Sequence, residues 1–234
     1  MYAGIIAAGL GERMMKGGIE IPKPLIRIGG EPLIGRAIYS AVDAGAERVA
    51  VVVNDLYPQV AEYIRKKIWP VPLDLVVKTT PSSMESLFAL APLLNEPFLL
   101  LTVDLVCPFE IIRDFVRQCS EFPHAHAVLA LTDYIDDEKP LRVIVDQDGR
   151  IIRLGESVRE SRYITAGFYF FSPEIFSFVS EARKRKLSAL RAFLSLILES
   201  GRTLYGLPVG KTMDIDRPSD LGQVEDFLIR ETDA

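Results

Sequence analysis

Cysteine and histidine are nearly absent: Cys107 and Cys119, with His124 and His126, are the only residues of either kind in 234. Two cysteines outside a CxxC spacing make no disulfide framework, and so little histidine beside them argues against a structural zinc site. Both cysteines read as reduced packing residues. Neither histidine stands near a Ser or Cys in a recognisable nucleophile motif, so both read as surface or edge positions. No stretch approaches the ~18 uncharged apolar residues of a membrane span, and Met1 leads directly into an apolar run without the basic and apolar regions of a signal peptide. The expectation is a soluble, cytoplasmic protein with no membrane partner. Basic charge is scarce too: Lys and Arg number 27 against 32 Asp and Glu, a formal charge of -5. That balance argues against a face that tracks nucleic-acid backbone, so small molecules are the expected partners.

Apolar residues, in contrast, make up 49% of the chain, ample for a substantial core. They fall in short, largely apolar runs at Ala3–Ala8, Val49–Val53, Leu73–Val77 and Phe98–Val103, the pattern of strands buried on both faces. Between the runs, Leu33–Ala44, Tyr57–Lys67 and Ser83–Leu94 repeat apolar residues at three- and four-residue steps, as helices do. The alternation predicts an α/β fold: a mostly parallel, Rossmann-like central sheet flanked by helices and joined by right-handed crossovers. In such sheets ligands sit beyond the carboxyl ends of the strands, where Gly9–Arg13, Asn54-Asp55, Lys78–Ser82 and Asp104 would converge. The second half changes character. Ala127–Leu131, Leu141–Val145, Ile151–Leu154 and Tyr163–Phe171 lie closer together, and Asp146-Gln147-Asp148-Gly149 reads as a hairpin turn, so an antiparallel β extension is expected. Asp133–Lys139 reads as a charged loop. Helices at Pro173–Arg185 and Leu187–Glu199, a strand at Thr203–Pro208 and a closing helix from about Pro218 to Arg230 complete the reading. No repeat, low-complexity tract or linker interrupts the chain, which predicts one domain over 1–234.

The opening segment carries the chemistry. Ile5, Ile6, Ala7 and Ala8 run into Gly9-x-Gly11-x-Arg13, and Pro22-Lys23-Pro24 follows about ten residues later. Glycines at a strand end let the backbone approach a polyanion, and Arg13 and Lys23 supply positive charge. A dinucleotide-binding fingerprint fits poorly: Met14 stands where a third glycine belongs, and the next strand ends some 45 residues after Gly9. Gly210-Lys211-Thr212 imitates the end of a Walker loop, yet only three residues separate it from Gly206. Asp104 sits within the apolar stretch Phe98–Val106, so it must be paired, capped or bound to a cation. At a strand's carboxyl end it suits magnesium, which takes one or two carboxylates together with phosphate oxygens. Asp214 and Asp216, two apart on an extended segment, point to one face and could share a cation; capping of the last helix by Asp216 or Ser219 is the plainer account. Ser82 and Glu85 form a capping box at a helix start, and Ser82 and Ser86 there also suit a base or phosphate.

These motifs together resemble the sugar-phosphate nucleotidyltransferases, which join a nucleoside triphosphate to a sugar phosphate or related phosphorylated alcohol. Ala7-Ala8-Gly9-Leu10-Gly11-Glu12-Arg13 with Pro22-Lys23-Pro24-Leu25 is similar to the family's signature loop. Asp104 and Asp214-Ile215-Asp216-x-Pro218 are similar to its two metal-binding positions, and Thr165-Ala166-Gly167-Phe168-Tyr169 to its strand beside the sugar. Glu12 replaces the usual Ser or Thr, and the Glu-Lys-Pro that often follows the hairpin survives only as Glu156, with Arg153 or Lys211 as candidate substitutes for its lysine. The resemblance implies magnesium as cofactor, held by Asp104 with Asp214 or Asp216, and catalysis by Arg13, Lys23 and Asp104. It implies a nucleotide site from Ala8, Gly9, Leu10, Gly11, Arg13, Lys23, Ser82 and Ser86, and an acceptor site from Glu156, Thr165 and Gly167. Residues 1–105 would then bind nucleotide and 106–234 the acceptor, in a monomer or homodimer. The rival readings are the same transfer to inositol phosphate, phosphocholine or a cofactor precursor, and a nucleotide-binding regulatory module without turnover.

Overall fold

A computed structural model describes residues 1–134, 140–155 and 158–232. Glu156 and most of the expected loop Asp133–Lys139 lie outside the described residues. In chain order the strands are β1 (Tyr2–Ala7), β2 (Arg27–Ile28), β3 (Glu31–Pro32), β4 (Arg48–Val53), β5 (Leu73–Val77), β6 (Phe98–Thr102), β7 (Leu105–Val106), β8 (Ala127–Thr132), β9 (Arg142–Val145), β10 (Ile151–Leu154), β11 (Tyr163–Phe171), β12 (Leu204–Pro208) and β13 (Met213–Asp214). The helices are α1 (Glu12–Lys16), α2 (Leu33–Asp43), α3 (Pro58–Lys66), α4 (Ser83–Leu90), α5 (Phe109–Cys119), α6 (Val179–Lys184), α7 (Leu190–Glu199) and α8 (Asp220–Thr232). None is long and apolar enough to cross a membrane.

One nine-stranded sheet runs through both halves in the order β10-β9-β11-β6-β1-β4-β5, with β8 and β12 branching from β11. Strands β6, β1, β4 and β5 are parallel, whereas β11 pairs antiparallel with β6, β8 and β9. The mostly parallel sheet and its antiparallel extension both agree with the sequence expectation. Each parallel strand feeds two cores because its side chains alternate. Ala3, Ile5, Val49, Val51, Leu99 and Leu101 pack into one layer; Ile6, Ala50, Val52, Phe98 and Leu100 pack into the other. Helix α2 covers the first layer with Leu33, Ile34, Ile38 and Ala41, and α7 covers the second with Leu190, Phe193, Leu194 and Ile197. Cys107 and Cys119 are buried, free thiols, each pushed up to about 12 by burial, which fits packing residues rather than nucleophiles.

Several boundaries differ from the sequence expectation for local reasons. The helix expected from Pro173 begins as 3₁₀ turns over Pro173–Phe178 before α6. Helix α7 starts at Leu190 rather than Leu187 because Ala189 is extended and the Leu190 N–H donates to the Ser83 hydroxyl, 3.3 Å away. Helix α5 was not anticipated, although Ile112, Phe115 and Cys119 follow helical spacing and are buried. A short helix, α1, also opens directly after Gly11.

Candidate active site

The glycine loop and the Pro-Lys-Pro segment pack directly on each other. Gly11 has φ 65° and ψ 28°, a left-handed conformation open to glycine at little cost. A Cβ there would lie 3.2 Å from the Lys23 Cβ, so the absence of a side chain lets the two segments touch. Pro22 and Pro24 narrow the backbone around Lys23, and a 3₁₀ turn closes with Leu25 N–H donating to Pro22 O at 2.8 Å. The Lys23 stem is therefore buried, with 10% of its side chain exposed, and its ammonium has one direction to reach.

It reaches two carboxylates. Lys23 Nζ lies 2.8 Å from Asp104 Oδ2 and 2.8 Å from Asp216 Oδ1, and Arg13 Nη1 lies 2.7 Å from Asp216 Oδ2. A two-residue ladder brings the acids together: β13 pairs antiparallel with β7, setting Asp214 opposite Leu105, and Ile215 N–H donates to Asp104 O at 3.0 Å. Asp220 fixes the following turn, its Oδ2 accepting from Asp216 N–H at 2.8 Å and Arg217 N–H at 2.7 Å. The expected capping of α8 by Asp216 is thus not made: its carboxylate faces Lys23 and Arg13, and Asp220 supplies the local acceptor. Burial works to lower the Lys23 ammonium, but the charges of Asp104 and Asp216 outweigh it and hold the group above its ordinary range. Burial likewise pushes Asp104 up, and Lys23 overrides it, holding the carboxyl below its ordinary value.

Two hollows meet at this network. The larger, about 640 Å³, is lined by Ala8–Arg13, Lys23, Thr79–Ser83, Ser86, Thr102, Asp104 and Asp216. The smaller, about 300 Å³, is lined by Arg13, Thr132, Thr165, Thr212, Asp214, Asp216 and Arg217 among others. Arg13 and Asp216 belong to both walls. Gly167 lies at the bulge of β11, between Thr165 and Tyr169, with φ 81°. A Cβ there would stand 3.2 Å from Thr102 Oγ1 and 3.5 Å from Asp214 Oδ1, so glycine keeps this crossing point narrow. At the far end of the larger hollow, Ser86 is buried with its hydroxyl 2.6 Å from Thr80 Oγ1 and donating to Ser82 O at 3.1 Å. Ser82 Oγ accepts from Glu85 N–H at 3.2 Å, while the Glu85 carboxylate turns to Arg183 at 3.1 and 2.8 Å. Only one arm of the expected capping box is therefore formed.

Most residues singled out in the sequence converge here, with informative exceptions. Asn54 and Asp55 brace the cleft instead of lining it: Asn54 Nδ2 donates to Ala8 O at 3.4 Å, and Asp55 accepts from the Thr79 hydroxyl. Lys211 lies outside both hollows, its ammonium 3.9 Å above the Tyr134 ring. Arg153 lines a separate hollow with Asp146, Arg150 and Ser195. Glu12 faces Lys16 at 3.4 Å and not Arg13. Thr79 and Thr80, within the Lys78–Ser82 strand end expected at the cleft, line the larger hollow. Sequence reasoning did not place Thr132, Thr212 or Arg217 in the site, and none of the three gave a signal.

Among the described residues no three His, Cys, Asp or Glu side chains gather as a self-sufficient metal site. Asp104 and Asp216 nonetheless hold one cationic nitrogen between their oxygens, and Asp214 lies near by on β13. A pair of hard carboxylate donors with room for substrate oxygens fits magnesium, which seldom uses an all-protein cage.

Known proteins resemble this chain in sequence and in fold. The model of the MobA-like NTP transferase domain matches residues 3–162. The UTP–glucose-1-phosphate uridylyltransferase AglF of Haloferax volcanii is 26% identical, over 99% of this chain and 98% of its own. The mannose-1-phosphate guanyltransferase of Saccharomyces cerevisiae is also 26% identical, over 92% of this chain but only 61% of its own length. The chain thus spans about three fifths of that relative. Among solved structures, the inositol-1-phosphate CTP transferase from T. maritima superposes with a TM-score of 0.81 at 22% identity, covering 98% of this chain and 95% of its own. A UDP-glucose pyrophosphorylase bound to UDP-glucose gives a TM-score of 0.79 at 20% identity, covering 99% and 100%. Both share the fold.

Proposed function

From the premise that this chain belongs to the MobA-like NTP transferase family, we propose that it transfers a nucleoside monophosphate from a nucleoside triphosphate to a sugar-1-phosphate and releases pyrophosphate. The observation that carries this reading is the shared wall. Arg13 and Asp216 border both hollows, so a nucleotide in the larger and an acceptor in the smaller would meet beside Lys23. The uridylyltransferase relative, matched over nearly its full length, supports a sugar phosphate as acceptor. Residues 1–105 then supply most of the nucleotide site, and 106–234 most of the acceptor site.

The chemistry needs no protein nucleophile. An ionised oxygen of the acceptor phosphate attacks the α-phosphorus in line; the new P–O bond forms as the bond to the β-phosphate oxygen breaks, and pyrophosphate leaves with that electron pair. The work of the protein is positioning and charge neutralisation. In this scheme Arg13 and the Gly9–Gly11 amides hold the β- and γ-phosphates, and Lys23, on its rigid Pro-Lys-Pro turn, neutralises charge growing between the α- and β-phosphates. Thr79, Thr80, Ser82 and Ser86 offer hydroxyls and amides to the base and ribose, and Thr165 and Gly167 shape the acceptor side. Asp104, with Asp214 or Asp216, would hold magnesium, which when bound supplies Lewis-acid stabilisation of the phosphate oxygens.

The deciding experiment measures pyrophosphate release over UTP, GTP, CTP and ATP crossed with glucose-1-phosphate, mannose-1-phosphate and inositol-1-phosphate, with and without magnesium. The expected result is magnesium-dependent release with at least one sugar phosphate. Release with inositol-1-phosphate alone would replace the sugar reading by the alcohol one. Triphosphate binding without release from any pair would leave a regulatory module.

A further inference from the structure

Asp216 is joined to both cations of the site: one oxygen takes Arg13 at 2.7 Å and the other Lys23 at 2.8 Å. Both oxygens are thus engaged by the two side chains that the proposed function assigns to the phosphates. Asp220 accepts from the N–H groups of Asp216 and Arg217, which fixes the backbone that carries the carboxylate. Lys23, by contrast, keeps Asp104 as a second partner, and the Arg13 side chain is 56% exposed and able to turn.

We propose that Asp216 is a positioning residue that stands in for phosphate: in the empty site it holds Arg13 and Lys23 in place, and an arriving triphosphate must take both cations from it. This rests on the nucleotide-binding reading above. Two consequences follow. The cations are preorganised where a polyanion is needed, so they do not collapse elsewhere in the empty enzyme. Affinity is also lowered, because a binding-competent state populated only a fraction of the time divides the apparent affinity by that fraction. A lock closed about nine-tenths of the time weakens binding about tenfold. The lock also makes an intact polyphosphate, able to engage Arg13 and Lys23 together, a better opener than a monophosphate.

The test uses the whole chain in excess EDTA and isothermal titration with inorganic tripolyphosphate, with UTP, GTP and CTP alongside. Asp216→Asn is expected to tighten tripolyphosphate binding about tenfold, and Asp216→Ser serves if the first variant misfolds. A purely structural role for Asp216 would weaken binding instead. General relief of negative charge is separated by a double-mutant cycle: in an Arg13→Ala background the gain from Asp216→Asn is expected to fall below about threefold. Unchanged or weaker binding by both Asp216 variants overturns the inference, as does an equal gain in the Arg13→Ala background. If no nucleoside triphosphate binds any form at millimolar concentration, in EDTA or with magnesium restored, the nucleotide reading itself falls and takes the inference with it.

Discussion

Replacing Lys23 by Met keeps the aliphatic stem and removes only the charge, which isolates the ammonium between Asp104 and Asp216. With the cation gone, two carboxylates face the same point, one 29% and the other 43% exposed. Breaking a fully buried pair costs about 3–5 kcal/mol because the remaining charge is stranded. Here water reaches both acids, which places the cost at about 2–3 kcal/mol. For a chain of this size 1 kcal/mol moves the melting temperature by about 2–4 °C, so Lys23→Met should melt about 4–12 °C below the unsubstituted protein by differential scanning calorimetry at neutral pH. Turnover should fall by about 10²–10³, the usual loss when one preorganised positive or hydrogen-bonding group leaves a transition state. The two readouts are separable because activity is measured well below the melting range. Equal melting temperatures would refute the electrostatic reasoning about the pair, and undiminished pyrophosphate release in a folded variant would remove Lys23 from the chemistry.

Gly11→Ala forces an L side chain into the left-handed region, which costs about 1–2 kcal/mol, and sets a methyl 3.2 Å from the Lys23 Cβ. Activity is expected to drop more than stability, and a crystal structure of the variant should show Lys23 displaced. Asp214→Asn is expected to raise the magnesium concentration that gives half-maximal turnover, and an unchanged magnesium profile would leave Asp214 outside the metal site. Away from the cleft, Glu31 accepts from Lys67 Nζ at 2.6 Å and from Tyr63 OH at 2.8 Å. Burial pushes Glu31 up, yet these partners override it and hold its carboxyl below its unfolded value of 4.5. A depressed acid adds stability above pH 4.5 that disappears as pH falls through the lower folded value. The difference in stability between the unsubstituted protein and Glu31→Gln should therefore shrink between pH 6 and pH 3 in urea titrations, and a difference that grows on acidification contradicts the assignment.

The scaffold was legible because strands with a buried face write themselves as short apolar runs. The parallel β4 and β5 end at Val53 and Val77, where their runs end, and the antiparallel β10 and β11 match Ile151–Leu154 and Tyr163–Phe171. The glycine loop and Pro22-Lys23-Pro24 were legible because each uses residues whose backbone behaviour is set by their own chemistry. Helix α5 escaped although Ile112, Phe115 and Cys119 give it an apolar face and Glu110, Arg113, Asp114 and Arg117 a charged one. The meeting of Asp104 with the 214–216 segment had no local signature at all. It depends on β7 and β13, two residues each, which are too short for any periodicity and lie over a hundred positions apart in sequence. For the same reason the neighbouring residues gave no sign that Asp216 would turn to Lys23 while Asp214 approaches Gly167. That choice is set by the turn Asp220 imposes and by the bulge of β11.

Charge at the junction of the two hollows explains why these details matter for chemistry. In the larger hollow Arg13 and Lys23 bring two positive charges, and Glu12, Asp104 and Asp216 bring three negative ones, so the bare site is slightly acidic where the proposed triphosphate would sit. An anion entering such a site gains little from distant attraction, and its binding must come from short contacts made at the moment the internal pairs are exchanged. A divalent cation arriving with the triphosphate reverses the local balance, since the same carboxylates that repel the bare polyanion attract the metal it carries. On the proposed function the acids would favour metal-bound substrate over free substrate, and Asp216 would select, among anions, those long enough to satisfy two cations together.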